Sequence, residues 1–88
     1  MRDKVETLSN FEWEAKPLLR KYQSLKSELE KLIDILENKP DTGVSIGKGC
    51  YKIRIAIASK SKGKSGGAPI ITHIAVKKDA VFLLSIYD

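Results

Sequence analysis

The spacing of apolar residues changes partway along the chain, and this change most limits the folds that the chain can adopt. Between residues 11 and 36 apolar residues recur every three or four positions, as in helices with one buried face. Between residues 51 and 57 they alternate with charged or small residues, as in a strand with one buried face. A chain of 88 residues forms a single domain, which we place at 1–88. The sequence therefore predicts an α+β fold with helices first and strands second.

Two helices are predicted in the first half. Ser9 and Glu12 match the capping-box motif, so the first helix should begin at Ser9. Pro17 should kink this helix, or delay its regular part to about residue 15. Ser24 is a favourable N-cap for the second helix, which should end near Asn38, just before a proline. The short link between them predicts an antiparallel helical hairpin.

The second half predicts a small sheet. Strand-like segments occupy residues 51–57, 70–76 and 81–87, and the last two are joined by a predicted hairpin turn. Residues 5–8 are a further candidate for an edge strand. We expect the N-terminal helical hairpin to pack on one face of an antiparallel sheet of three to four strands.

Positive charge is concentrated in the second half of the chain. Residues 42–78 include eight cations and no acid, whereas residues 1–41 carry eight cations and nine acids. Such segregation costs stability through repulsion, so it indicates a polyanionic partner, most commonly nucleic acid. The candidate RNA-binding cations in this region are Lys48, Lys60, Lys62 and Lys64.

The loop that holds three of these lysines resembles a nucleotide-binding motif, but its context excludes that function. Residues 58–65 fit the looser phosphate-loop pattern, with alanine in place of the first glycine. That motif requires a helix directly after its Lys-Ser pair, because the helix amides hold the phosphates. Gly66, Gly67 and Pro69 follow here, and then a strand-like run. No small-molecule cofactor is predicted.

The scarcity of histidine and cysteine limits the possible chemistry. With His73 as the single histidine, a two-histidine ribonuclease site and a multi-histidine metal site are both excluded, so we predict no metal. His73 is interpreted as a packing or surface residue of a strand. Cys50 cannot form an internal disulfide and is interpreted as a small buried residue. Together with the lack of an apolar signal segment or membrane-length run, this favours a cytoplasmic protein without membrane contact.

Lys52 and Arg54 are the strongest candidates for catalysis. They are two positions apart on a predicted strand, so their side chains should project from one face about 7 Å apart. Repulsion between adjacent cations favours the neutral amine of a lysine, which can accept a proton, while arginine stabilises charge on a phosphate. On RNA this needs no metal, because the 2′-hydroxyl is an internal nucleophile. The alternative is that both are simply solvent-facing residues of a sheet.

Several segments resemble the RelE/HigB branch of the RelE/ParE toxin superfamily. They are Gly-Cys-Tyr-Lys-Ile-Arg at 49–54, Gly-Gly-Ala at 66–68, Leu-Leu-Ser-Ile-Tyr-Asp at 83–88, and the helical segments at 11–18 and 21–25. The resemblance implies the toxin of a type II toxin–antitoxin pair that enters the ribosomal decoding site, cleaves mRNA without metal and is neutralised by a cognate antitoxin. It also implies Lys52 as general base, Arg54 as the phosphate-stabilising or RNA-contacting residue, and Lys60, Lys62 and Lys64 as contacts to the RNA backbone.

The sequence departs from the family pattern at two catalytic positions. Pro69 stands where the family has an arginine directly after Gly-Gly-Ala, and proline offers no side-chain donor. The chain also ends at Asp88, where relatives continue into a short tail with another cation. The loss of a transition-state donor costs on the order of 3–4 kcal/mol of barrier, so we expect this copy to be attenuated.

Two alternatives remain open from the sequence. The first is a non-catalytic toxin like the ParE branch, which acts on DNA gyrase. The second is a general basic module that binds nucleic acid with steep salt dependence and no need for ribosomes.

Overall fold

Two helices cover one face of a five-stranded sheet, and the prediction of an α+β fold is confirmed. The structure is a computed structural model that describes residues 4–57 and 67–87. In chain order its elements are β1 (Lys4–Thr7), α1 (Ser9–Lys21), α2 (Leu25–Asn38), β2 (Val44–Gly47), β3 (Cys50–Ala56), β4 (Gly67–Ala75) and β5 (Ala80–Ile86).

The strands lie in the order β1-β5-β4-β3-β2. β1 runs parallel to β5, whereas the other neighbouring pairs are antiparallel. The sheet therefore has five strands where three to four were expected, and one of its pairs is parallel. The predicted edge strand near residues 5–8 is confirmed as β1. The predicted turn between the last two strands is a short 3-10 segment, Val76–Lys78, followed by Asp79 in the left-handed conformation.

The core lies between the helices and the inner face of the sheet. α1 and α2 bury the apolar stripes that their spacing predicts, except that Leu19 is 40% exposed. The helices and the C-cap residue of α1 contribute Phe11, Ala15, Leu18, Tyr22, Leu25, Leu29, Leu32 and Leu36 to the core. The strands, together with Ile57 just after β3, contribute Ile53, Ile55, Ile57, Ala68, Ile70, Val81, Leu83 and Ile86. The two helices therefore cover the inner face of the sheet, and neither covers the outer face, where Lys52 and Arg54 are exposed.

The start of α1 differs from the prediction. Its N-cap is Leu8, which makes no side-chain cap, and Ser9 is already helical, so the predicted capping box is wrong. Glu12 instead accepts a hydrogen bond from the Thr7 hydroxyl. α1 runs from Ser9 through Pro17 to Lys21, so the predicted delay of the helix is also wrong. No helix in residues 4–57 or 67–87 is long and apolar enough to cross a membrane.

The second helix begins where it was predicted, but Ser24 does not make the hydrogen bond expected of an N-cap side chain. Ser24 is the N-cap residue, as expected. Its hydroxyl donates to Glu28 Oε1 at 3.0 Å and makes no side-chain cap to the backbone.

Side chains of α1 cover the end of β5 that β1 does not reach. The side-chain amide of Asn10 donates to the Leu84 carbonyl at 3.1 Å. Glu14 Oε1 accepts from Ser85 Oγ at 2.7 Å and from the Ile86 amide at 3.2 Å. A strand edge with open amides and carbonyls would otherwise be free to pair with other chains. The first helix therefore closes this part of the sheet edge.

Candidate functional site

Lys52 and Arg54 lie on the outer face of the sheet. Both side chains are exposed, whereas Ile53 and Ile55 between and after them are buried beneath the helices. Because side chains alternate along a strand, the two cations project from the same surface, with about 7 Å between their positions. The placement expected from the alternating pattern is therefore observed. Their catalytic roles stay a prediction at this point.

The neighbours of these two residues come from the adjoining strands. Lys52 pairs with Val44 of β2 on one side and Ile71 of β4 on the other. Arg54 pairs with Pro69 of β4, so the two side chains share the outer face. Lys52 therefore stands between apolar neighbours, and the nearest outward-facing cation to it on the same strand is Arg54.

Gly67 allows β4 to lie close to β3 next to Arg54. A methyl group built on Gly67 would lie only 2.5 Å from the Ile55 carbonyl oxygen, whereas its distance of 3.4 Å to Arg54 Nε is an ordinary contact. Any larger residue would thus displace β3 from β4 beside the arginine.

Arg54 also borders a groove at the edge of β3. β2 pairs with β3 only as far as Lys52, so the later residues of β3 have an open edge on that side. The groove is about 350 Å³ in volume, and its lining residues include Leu32, Ile35, Thr42, Arg54 and Ala56. The guanidinium can therefore be reached both from the sheet face and from this edge.

The β2–β3 hairpin places a third cation near the site. Lys48 and Gly49 both have positive φ, at 56° and 77°, which is the conformation of a type I′ turn. Lys48 is exposed at the tip of the hairpin, in the turn that leads into β3. β2 itself was not predicted, because its short, exposed sequence shows no buried face.

Cys50 and His73 form a pair on the same outer face. The residues are directly opposite each other on β3 and β4, and Cys50 Sγ lies 3.5 Å from His73 Nδ1. Both are half-buried, so the interpretation of Cys50 as a buried residue without a partner is wrong. His73 has the cross-strand packing role that its position suggested. In residues 4–57 and 67–87 no three His, Cys, Asp or Glu side chains are grouped to hold a metal ion.

The remaining predicted site residues lie outside the described part of the chain. They are Lys60, Lys62 and Lys64 of the basic loop, which falls between Ile57 and Gly67. The position of Pro69 beside Arg54 was not foreseen, since register between strands cannot be read from one sequence. The close approach of β3 to β4 at Gly67 had one signal in the sequence, because a glycine at the start of a strand often marks such a place.

The site offers two adjacent, exposed cations on the outer face of the sheet. Such a pair can bind a phosphate, and the arginine can stabilise negative charge that develops on the phosphate. The sequence matches no protein-family profile and no protein of curated function.

Solved structures show where this fold occurs. A double arginine-to-alanine mutant of the Escherichia coli toxin RelE, in the free state, superimposes with a TM-score of 0.68 and 17% sequence identity over 98% of this chain and 82% of that one. The intact E. coli RelBE toxin–antitoxin complex includes a chain that matches with a TM-score of 0.69 and 18% identity, covering 96% and 93%. The chain therefore has the RelE fold, as the resemblance in its sequence implied.

Proposed function

We propose that this chain, which has the fold of RelE, is the toxin of a type II toxin–antitoxin pair. Its activity is metal-independent cleavage of mRNA in the decoding site of the ribosome, in the cytoplasm. The observation that carries the proposal is the pairing of Lys52 and Arg54 on the open face of the sheet. Support also comes from the solved RelE and RelBE structures with this fold, the second of which includes an antitoxin.

The reaction uses the RNA as its own nucleophile. The Lys52 amine accepts the proton of a ribose 2′-hydroxyl, and the oxygen attacks the adjacent phosphorus. Arg54 stabilises the negative charge that develops on the phosphate oxygens. The bond to the 5′-oxygen of the next nucleotide then breaks, and that oxygen takes a proton. The products are a 2′,3′-cyclic phosphate and a 5′-hydroxyl.

The antitoxin and the ribosome are the two macromolecular partners in this proposal. Lys48 at the hairpin tip and the basic loop with Lys60, Lys62 and Lys64 bind the RNA backbone and position the toxin without reading sequence. A cognate antitoxin wraps and neutralises the toxin. Pro69 beside Arg54 makes this copy a slow enzyme, because it supplies no cation where the family pattern has an arginine.

A translation assay on paused ribosomes tests the proposal. The wild-type chain should cut mRNA within the codon in the decoding site, and the Lys52→Ala/Arg54→Ala double variant should be at least about 100-fold slower. Lys26→Ala/Lys39→Ala removes the same charge from α2 and its C-terminal end, away from the outer face of the sheet, and should cut normally. Replacing the attacking ribose with 2′-deoxyribose should abolish cleavage.

Three outcomes would contradict this function. One is equal activity of the two double variants. Another is cleavage that proceeds on free mRNA as fast as on ribosomes, as a general nuclease would show. The third is inhibition of DNA gyrase with no cleavage of mRNA, which would indicate a ParE-like toxin.

A further inference from the structure

The outward face of α1 carries an aromatic residue that the core does not use. Trp13, the single tryptophan of the chain, is 79% exposed. Residues Trp13, Lys16, Pro17 and Arg20 follow helical spacing, and they line one groove of about 310 Å³. Since the buried stripe of α1 lies on its other side, packing among residues 4–57 and 67–87 does not explain the exposed indole.

Tyr87 extends this groove toward the sheet. Trp13 and Pro17 also line an adjoining depression with Tyr87, which is 49% exposed. We call the combined surface of Trp13, Lys16, Pro17, Arg20 and Tyr87 the Trp13 groove. It presents two aromatic rings, the flat ring of a proline and two cations, so both stacking and charge pairing are available to one ligand.

The acidic residue in the adjoining depression does not oppose an anionic ligand strongly. Glu14 Oε1 already accepts hydrogen bonds from Ser85 Oγ at 2.7 Å and from the Ile86 amide at 3.2 Å. Its charge is thus held toward the end of β5. The groove therefore keeps a net positive character, contributed by Lys16 and Arg20.

Pro17 adds a flat apolar ring beside Trp13 on the exposed side of α1. The groove thus combines an aromatic stacking surface with cations, which are the two features that single-stranded nucleic acid binding uses.

Backbone hydrogen bonding links the Trp13 groove to the strand that pairs with Arg54. The Tyr87 amide donates to the Pro69 carbonyl at 3.1 Å, and Pro69 is the cross-strand partner of Arg54. Two strand spacings separate the backbone at Arg54 from that at Tyr87, which is about 10 Å. Because α1 packs on the inner face of the sheet and Lys52 and Arg54 lie on the outer face, an RNA strand that contacts both places passes around the end of the sheet.

We propose that the Trp13 groove is a base-stacking site for single-stranded RNA. A base stacks on Trp13, and Lys16 and Arg20 bind the flanking phosphates. The continuation of that strand to Lys52 and Arg54 rests on the proposed function. Binding to the groove itself is an independent property of this surface. A protein segment with acidic side chains is the competing occupant, and the experiment separates the two.

The fluorescence of the single tryptophan measures this binding directly. Adding a 12-nucleotide single-stranded oligouridine to the full chain should quench Trp13 in a saturable manner, and a duplex RNA of equal length should quench it far less because its bases are already stacked. A 12-residue oligoglutamate peptide should leave the fluorescence unchanged. Quenching by the peptide but not by the RNA, or equal quenching by single strand and duplex, would overturn the inference.

Variants locate the binding at the groove. Measured by the anisotropy of a labelled oligonucleotide, Trp13→Ala should weaken binding roughly 10-fold, while Trp13→Phe should keep most of it. Lys16→Ser/Arg20→Ser should weaken binding at least as much. Val76→Ala is the matched control, because Val76 is 78% exposed in the turn at the far end of the sheet. Circular dichroism should show all of these variants folded, since each side chain is at the surface.

This test is separable from the test of cleavage. If free oligonucleotide quenches Trp13 but mRNA is not cleaved on ribosomes, RNA binding at the groove is supported and the proposed function is contradicted. If mRNA is cleaved on ribosomes without quenching, and Trp13→Ala keeps full activity, the proposed function is supported and RNA binding at the groove is contradicted.

Discussion

At the scale of single residues, Glu14 connects the first helix to the end of the last strand. Its carboxylate accepts from the Ser85 hydroxyl and the Ile86 amide, and also from Asn10 Nδ2 at 3.3 Å. Although its spacing on α1 suggests a solvated surface acid, the structure makes it a structural ligand of β5. A helix periodicity cannot reveal such a contact, because the partner lies more than 70 positions away.

Replacing Glu14 should therefore destabilise the protein. Glu14→Ala leaves the half-buried Ser85 hydroxyl and the Ile86 amide without their acceptor, which should lower the free energy of unfolding by about 1–3 kcal/mol. Urea denaturation measures the change. Glu30→Ala, an exposed acid on α2, should stay within about 0.5 kcal/mol of wild type. Equal effects of the two substitutions would show that the contact contributes nothing to stability.

Pro69 is the residue at which a single substitution should increase activity. Pro69 and Arg54 are cross-strand partners, whose Cα atoms are about 4.5–5.5 Å apart in such a pair. Pro69→Arg would add a second guanidinium on the same face and should raise the rate of mRNA cleavage on ribosomes by roughly 100-fold. Pro69→Ala serves as the control, since it removes the proline ring without adding charge, and should leave the rate near wild type. No gain with arginine would mean that Pro69 does not limit catalysis.

The sequence could predict which residues form the candidate site but not what surrounds them. The alternation in residues 51–57 places Lys52 and Arg54 together on the outer face. Their neighbours depend on the register between β3 and β4. This register places Arg54 opposite Pro69 and Cys50 opposite His73. Register is fixed by packing of the whole sheet, so it could not be deduced from these segments alone.

At the scale of elements, the helices were more predictable than the strands. The apolar stripes of α1 and α2 fix both which residues are buried and which face meets the sheet. β2 gave no such signal, because Val44 and Ile46 are 69% and 53% exposed and the strand buries neither face. Propensity and spacing thus locate elements that face the core, and miss those held by backbone pairing at an edge.

Two adjacent residues of α2 test how strongly the buried stripe contributes to stability. Leu36 is fully buried, and Leu36→Ala should lower the free energy of unfolding by about 2–5 kcal/mol. Ile35 is 48% exposed on the same helix, and Ile35→Ala should cost under about 1 kcal/mol. Thermal denaturation of both variants checks the difference. Similar losses of stability in the two variants would mean that α2 does not bury the face that includes Leu36.

Alanine substitutions at two glycines, one before β2 and one at its end, distinguish the effect of backbone strain from the effect of steric overlap. Gly43 and Gly47 have φ of +106° and +94°, where an alanine costs about 1–3 kcal/mol at either position. An added methyl group at Gly43 would also meet Ile53 Cγ1 at 2.6 Å and the Lys52 carbonyl oxygen at 2.7 Å, whereas nothing lies within 4 Å at Gly47. Gly43→Ala should thus be the more destabilised variant in urea denaturation. It should also lose cleavage activity, because the methyl group displaces the backbone at Lys52; comparable behaviour of the two variants would contradict this.

At the scale of the whole molecule, the formal net charge of +5 should make RNA binding sensitive to salt. Each phosphate contact to single-stranded RNA contributes about 0.7 to the slope of log affinity against log salt concentration. Lys52→Ala/Arg54→Ala should therefore reduce this slope by about 1.4, as measured by anisotropy of a labelled oligonucleotide. Lys26→Ala/Lys39→Ala lowers the net charge equally but should leave the slope unchanged, because these lysines lie on and after α2, away from the outer face. If both pairs reduced it equally, overall charge rather than the sheet face would account for binding.

The strand order also determines when, during synthesis of the chain, the described sheet can form. β5 lies between β1 and β4 in the sheet, yet it is the last of the strands to be synthesised. Until Ile86 has been made, β1 has no strand to pair with in the described sheet, and the apolar side of α1 lacks Val81, Leu83 and Ile86 beneath it. A nascent chain interrupted before Ala80 would leave these apolar surfaces exposed to water, which makes it a target for chaperones and proteases.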